Sequence, residues 1–259
     1  MRRNEGEKLL MRVFWTLFRR ELASFFLSIT GYLIIAAVTL LIGLGFDILI
    51  TNIHEPQPMP LTELFYNTYS FWLIVLLITP VITMRLFALE KFTGTFETLM
   101  TTPVSDWQVV SAKFAAAMVF YMVMWLPMLA CLFLVQHFTN QSGSMDGGAV
   151  GGLYLGIFMV GSLFLSLGCF ASSLTKSQMA AAMLSFVLGV TVFSLGFFAD
   201  AIETPAGWES QVLSCFGLFK QMDDFTRGVV DLRTMIFYAS VTFFFLFLTL
   251  RVVESRRWK

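Results

Sequence analysis

The chain has 259 residues, 57% of them apolar and only 13% charged, with a mean hydropathy of +0.77. A soluble domain carries roughly a quarter charged residues, so this composition excludes an ordinary soluble protein and indicates a chain that crosses a membrane repeatedly. The formal net charge is zero and no basic run with interleaved aromatics occurs, which leaves nucleic-acid binding without support.

Taken in order, residues 8–26 are amphipathic. Leu10, Val13, Phe14, Leu17, Phe18 and Phe25 recur at helical spacing, with Arg12, Thr16, Arg19 and Arg20 on the other side. Such a segment reads as an elbow helix lying in the membrane interface, the alternative being an ordinary stop before a span. It is not a signal peptide: the following apolar run is too long and lacks a small-x-small end. Met11 is a second candidate start. The first span is expected over 28–50, followed by a proline-rich loop from His54 to Pro60. The second is expected over 65–87, kinked at Pro80.

Between spans two and three lies a polar interruption, from Arg85 to Lys113, that must leave the bilayer. A short surface helix is expected over 90–101. It must stop there, because Pro103 disfavours helix at Thr102. Ser105 and Gln108 then form a capping box, with Val104 and Val109 as its hydrophobic staple. The third span is expected over 109–136, with Pro127 inside it, and the fourth over 149–171, where Gly152 and Gly156 stand at the spacing of close helix approach. Thr175 and Gln178 repeat the capping box, with Leu174 and Met179 as staple, before a fifth span over 177–198. In 200–231, Trp208, Val212, Phe216 and Phe219 share one helical face, predicting an interfacial or re-entrant helix. Asp231 is the expected N-cap of the sixth span, 232–253.

Under six spans, fourteen of the seventeen Lys and Arg fall on one side. The positive-inside rule then places both termini and the Arg85–Lys113 stretch in the cytoplasm.

No phosphate-binding loop, H-E-x-x-H or G-x-S-x-G occurs. Cys131, Cys169 and Cys215 lack C-x-x-C spacing, and His54 and His137 fall in different loops, so no metal set is expected. No span carries an ionisable group near its middle, which argues against an ion-coupled carrier and an intramembrane hydrolase. No catalytic residue is assigned, and an enzyme is not expected.

The 90–101 helix is therefore the most informative stretch. Phe92, Phe96 and Leu99 form an apolar face that can lie against the bundle or the lipid interface, and Glu90, Lys91, Thr93, Gly94, Glu97 and Thr98 fill the other faces. The pattern alone leaves a solvated loop helix and a partner-docking helix equally open.

The run Glu90-Lys-Phe-Thr-Gly-Thr-Phe-Glu-Thr-Leu-Met-Thr-Thr-Pro-Val-Ser-Asp-Trp107 resembles the coupling-helix signature of ABC-2 type permeases. Residues 172–178 resemble that family's second cytoplasmic turn, and residues 225–233 and 251–258 resemble the last span of its gliding-motility-associated subgroup. The resemblance implies an all-α polytopic membrane protein: six transmembrane helices, an N-terminal interfacial elbow helix and a cytoplasmic coupling helix. It implies a permease subunit of an ATP-binding cassette transporter, favours an exporter, and places it in a prokaryotic plasma (inner) membrane. A second permease subunit, identical or related, would complete the pathway through the lipid bilayer. A separate ABC ATPase would carry ATP and Mg, none being bound by this chain. Contact with that ATPase falls to Glu90, Lys91, Thr93, Gly94, Thr95, Glu97, Thr98 and Lys176, and coupling-helix anchoring to Phe92, Phe96 and Leu99. A stand-alone secondary carrier and a non-transporting membrane scaffold are the alternatives. Gradient-driven flux without an ATPase marks the carrier, and absence of flux in any condition marks the scaffold.

Overall fold

The computed structural model describes residues 2–52, 69–95, 104–139, 147–201 and 217–257. Among these, the chain is helical throughout and has no strand. The helices are α1 (Arg2–Phe26), α2 (Ile29–Asn52), α3 (Tyr69–Thr83), α4 (Ala88–Thr93) and α5 (Asp106–Met124). They continue as α6 (Leu126–Thr139), α7 (Gly147–Leu174), α8 (Gln178–Ala201), α9 (Leu218–Thr226) and α10 (Leu232–Arg257). Six stretches are long and apolar enough to cross a membrane: Ile29–Ile48, Phe71–Thr93, Asp106–Leu134, Gly147–Leu174, Gln178–Phe198 and Leu232–Ser255. Each of the six expected spans thus has its helix.

Helix α7 is the axis of the bundle, with 72% of its apolar stretch buried against 22% for α8 and 28% for α2. It packs on α10, α8, α3, α9 and α5. Along one side, Gly152 and Gly156 give α9 its seat. A Cβ at Gly152 would collide with the Phe225 carbonyl oxygen, and one at Gly156 would lie 2.7 Å from Met222 Sδ. Small residues admit a second helix this closely in a membrane bundle.

Two spans depart from straight rods. Pro80 lies inside α3 and cannot donate to the preceding turn. The helix ends three residues later, where Thr83 Oγ1 donates to the Thr79 carbonyl at 2.9 Å. The third span breaks at Trp125, just before Pro127. The Trp125 carbonyl accepts the Tyr154 hydroxyl at 2.7 Å and the Met128 amide at 3.1 Å, so the interrupted backbone keeps partners away from water.

Helix α1 lays Phe18, Leu22 and Phe25 on the core and packs against α5, with Phe25 stacked on Phe120 at 4.9 Å. It starts before the expected Lys8 and turns into α2 at Leu27–Ser28. The helix expected around Trp208, Val212 and Phe216 falls on residues outside the described set; α9 begins at Leu218 instead. Its buried face is Leu218, Met222 and Phe225, and Phe219 packs on Trp72 at 4.8 Å and Phe193 at 5.3 Å. Asp231 Oδ1 accepts the Arg233 amide at 2.9 Å, the cap expected of it.

Candidate functional site

Helix α4 is six residues long, too short to stand alone in water, and its neighbours supply what it lacks. Phe87 offers it no side-chain cap. Ser172, in the last turn of α7, fills the gap: its Oγ accepts the Phe87 and Ala88 amides, each at 3.1 Å. Lys91 is buried and donates to the Ser173 carbonyl. That carbonyl belongs to the unsatisfied set at the C-terminus of α7, where the helix dipole favours a cation. At Gly94, φ is 74°, a left-handed C-cap that ends α4.

An ion cluster ties α4 to two more helices. Glu90 Oε1 lies 2.9 Å from Lys113 Nζ on α5 and 3.1 Å from Arg20 Nη2 on α1. Glu21 Oε1, also on α1, lies 3.1 Å from the same Lys113 and 2.7 Å from the same Arg20. The Lys113 side chain is 2% exposed and rests 5.5 Å from the centroid of the Phe87 ring. Two carboxylates this close tolerate one another because two cations stand between them. Burial alone would raise the Glu21 carboxyl, but the Lys113 charge and the hydrogen bonds from Arg20 and Lys113 outweigh it and hold the group below its ordinary value. Arg20 is affected in the matching sense: burial opposes its charge, but Glu21 and Glu90 hold it above its usual value.

Beside the cluster is a cavity of about 360 Å³, bordered by Arg20, Glu21, Arg85, Glu90, Thr95 and Lys113. Arg85 reaches the corner between α1 and α2, donating to Ser28 Oγ at 3.4 Å and to Thr30 Oγ1. The arrangement is a joint: one short helix gripped by α1, α5 and α7, with charge buried at the grip. Among the described residues no three His, Cys, Asp or Glu side chains gather as a metal site.

The sequence profile described as ABC-2 family transporter protein matches residues 22–192, more than half of the chain and including α4 and both turns around it. The chain belongs to the ABC-2 transporter family. It is a multi-pass permease subunit of a family that works with an ATPase subunit. A comparison with curated proteins finds no match.

Within this ABC-2 permease the expected site residues separate into two groups. Thr93, Gly94, Thr95 and Lys176 are exposed. Glu90 and Lys91 turn inward, because the buried Lys113 and the end of α7 offer them better partners than water. Phe92 was expected to anchor the helix, yet it is 75% exposed; Leu86, Phe87 and Ala88 form the buried face instead. The rod expected over 90–101 is interrupted at Gly94, whose positive φ an α-helix cannot contain. Phe96, Glu97, Thr98 and Leu99 lie outside the described residues. At the second turn the cap is Ser177 rather than Thr175: its Oγ faces the Ala180 amide at 3.5 Å, while Thr175 Oγ1 donates to the Ser177 carbonyl. Met179, 73% exposed, closes no staple there.

Sequence reasoning passed over Glu21, the partnership of Arg20 and Lys113, and Ser172. A signal for Glu21 was present. It stands three residues after Phe18 and four before Phe25, on the apolar stripe of α1, where a carboxylate demands a buried partner.

Proposed function

We propose that this permease subunit is half of an exporter in which a separate ATPase, carrying ATP and Mg, pushes on the exposed end of α4 and the segment after it. A second permease subunit completes the pathway between the two copies. The chain sits in a prokaryotic plasma membrane with both termini cytoplasmic, a reading supported by the fourteen-to-three distribution of basic residues. Its place in the gliding-motility-associated subgroup rests on residues 225–233 and 251–258, beyond the stretch matched by the family profile.

The grip on α4 carries the reading. Phe92, Thr93, Gly94 and Thr95 present an exposed face, while Glu90 and Lys91 on the same turn are fastened to α1, α5 and α7. Force applied to the exposed face therefore reaches three helices at once. Glu97 and Thr98 extend that contact, and Lys176, on the neighbouring turn, adds a positive charge to it.

Co-expression with the cognate ATPase tests this. Gly94→Trp and Glu97→Arg should leave the permease inserted in the membrane and abolish both ATPase co-purification and coupled hydrolysis. Retained co-purification with hydrolysis still coupled, in both variants, overturns the proposal.

A further inference from the structure

Helix α1 uses its arginines in two ways. Arg20, half exposed, is paired with Glu21 and Glu90. Arg12 and Arg19 are exposed, and neither meets a carboxylate among the described residues. Trp15 lies between them, 62% exposed, its ring 5.3 Å from that of Phe18. At 3.6 residues per turn the three side chains fall within about 60° of one another around the helix, opposite Glu21 and away from α5. At the end of α1 the chain exposes Leu27 and Ile29, at 83% and 87%, where it enters the first span. Apolar groups so exposed need lipid, which puts the adjoining α1 at the boundary of the hydrocarbon. Water gives no reason for the tryptophan, and acyl chains have no place for two guanidinium groups. The headgroup layer suits both.

We propose that the Arg12–Trp15–Arg19 face of α1 binds the phosphate-bearing headgroups of anionic phospholipid. This rests on the reading that the α1 end of the bundle lies at the cytoplasmic membrane surface. Charge complementarity then selects anionic over zwitterionic lipid, since the inner leaflet is the negative one. Arg20 shows by contrast what an arginine on this helix does when a carboxylate is in reach.

The full chain in neutral detergent would be titrated with phosphatidylglycerol or phosphatidylcholine and the bound lipid counted by native mass spectrometry. Arg12→Gln/Arg19→Gln should weaken the tightest phosphatidylglycerol site about thirty-fold, the effect of two basic side chains at a surface, and leave phosphatidylcholine binding unchanged. Arg12→Lys/Arg19→Lys should retain most of the preference. Depth is read separately in vesicles, from quenching by headgroup-brominated lipid of the fluorescence that Trp15→Phe removes. Quenching with an unchanged lipid preference in the Gln variant overturns the lipid proposal alone. No quenching overturns the surface reading with it. A Gln variant that keeps its lipid but loses ATPase co-purification assigns the face to the ATPase, which also overturns the proposal.

Discussion

Replacing Lys113 by Met removes one charge from the centre of the joint while keeping a flexible chain against Phe87. Two contacts vanish, at 3.1 Å to Glu21 and 2.9 Å to Glu90, at a position only 2% exposed. Both carboxylates are left to share Arg20, which is 52% exposed and already engaged. Breaking a buried pair by deleting one partner costs about 3–5 kcal/mol, a large share of the roughly 5–15 kcal/mol that holds a domain folded. Unfolding of the detergent-solubilised variant, followed by thermal or denaturant titration, should show that loss. Neutralising the partners as well, in Glu21→Gln/Glu90→Gln/Lys113→Met, should recover most of it, because uncharged groups no longer bear the penalty of buried charge. A single variant within about 1 kcal/mol of wild type, or a triple variant no better than the single, would refute the view that the cluster holds α1, α4 and α5 together. The sign with pH is fixed too. The Glu21 carboxyl is lower in the folded chain than its ordinary value of 4.5. Its contribution is therefore complete above that value and is lost as pH falls through the lower folded one. Glu21→Gln should flatten the acid limb of the stability profile.

Phe92→Ala should shift stability by no more than about 0.5 kcal/mol, as for other exposed positions, while weakening ATPase co-purification; a large stability loss would restore Phe92 as an anchor. Gly94→Asn should be tolerated and Gly94→Val should cost about 1–2 kcal/mol, since only small polar residues share the left-handed region with glycine; equal effects on unfolding would show that φ is not what Gly94 supplies. Ser172→Ala strips the cap from two amides at the start of α4 and should cost about 1–3 kcal/mol, with faster hydrogen exchange at Phe87 and Ala88. Gly152→Val should lift α9 from α7, read as increased proteolysis near residues 218–226; an unchanged cleavage pattern would contradict the close approach seen at the Phe225 carbonyl.

The spans were legible because each declares itself locally: a run of apolar residues long enough to cross a bilayer needs no distant partner to be recognised. Ser105 with Gln108 was legible for the same reason, the Gln108 side chain reaching back to the Ser105 amide at 3.2 Å. Helix α4 was not. Its start is capped by a serine some 85 residues away, its lysine is drawn to the end of another helix, and its stop is one glycine torsion. The apolar spacing of Phe92, Phe96 and Leu99 assumed a helix running unbroken through Gly94, where the positive φ ends α4. Likewise, Lys113 looks like an ordinary charge near a membrane boundary, and only the packing of α1 on α5 makes it the partner that Glu21 needs. The spacing of Gly152 and Gly156 was visible, but that its occupant is the short α9 rather than another span required the fold.

The 28 residues of α7 form one uninterrupted rod of about 42 Å. Ser172 and Ser173 hold α4 at its last turn, and Gly152 and Gly156 seat α9 near its first. A stiff beam gripped at both ends has no choice about where displacement goes. Pivoting it by about 5° about one grip carries the far end of a rod of that length about 4 Å sideways, enough to unseat side chains that meet at van der Waals distance. The grip on α4 and the seat of α9 are thus joined by a single helix.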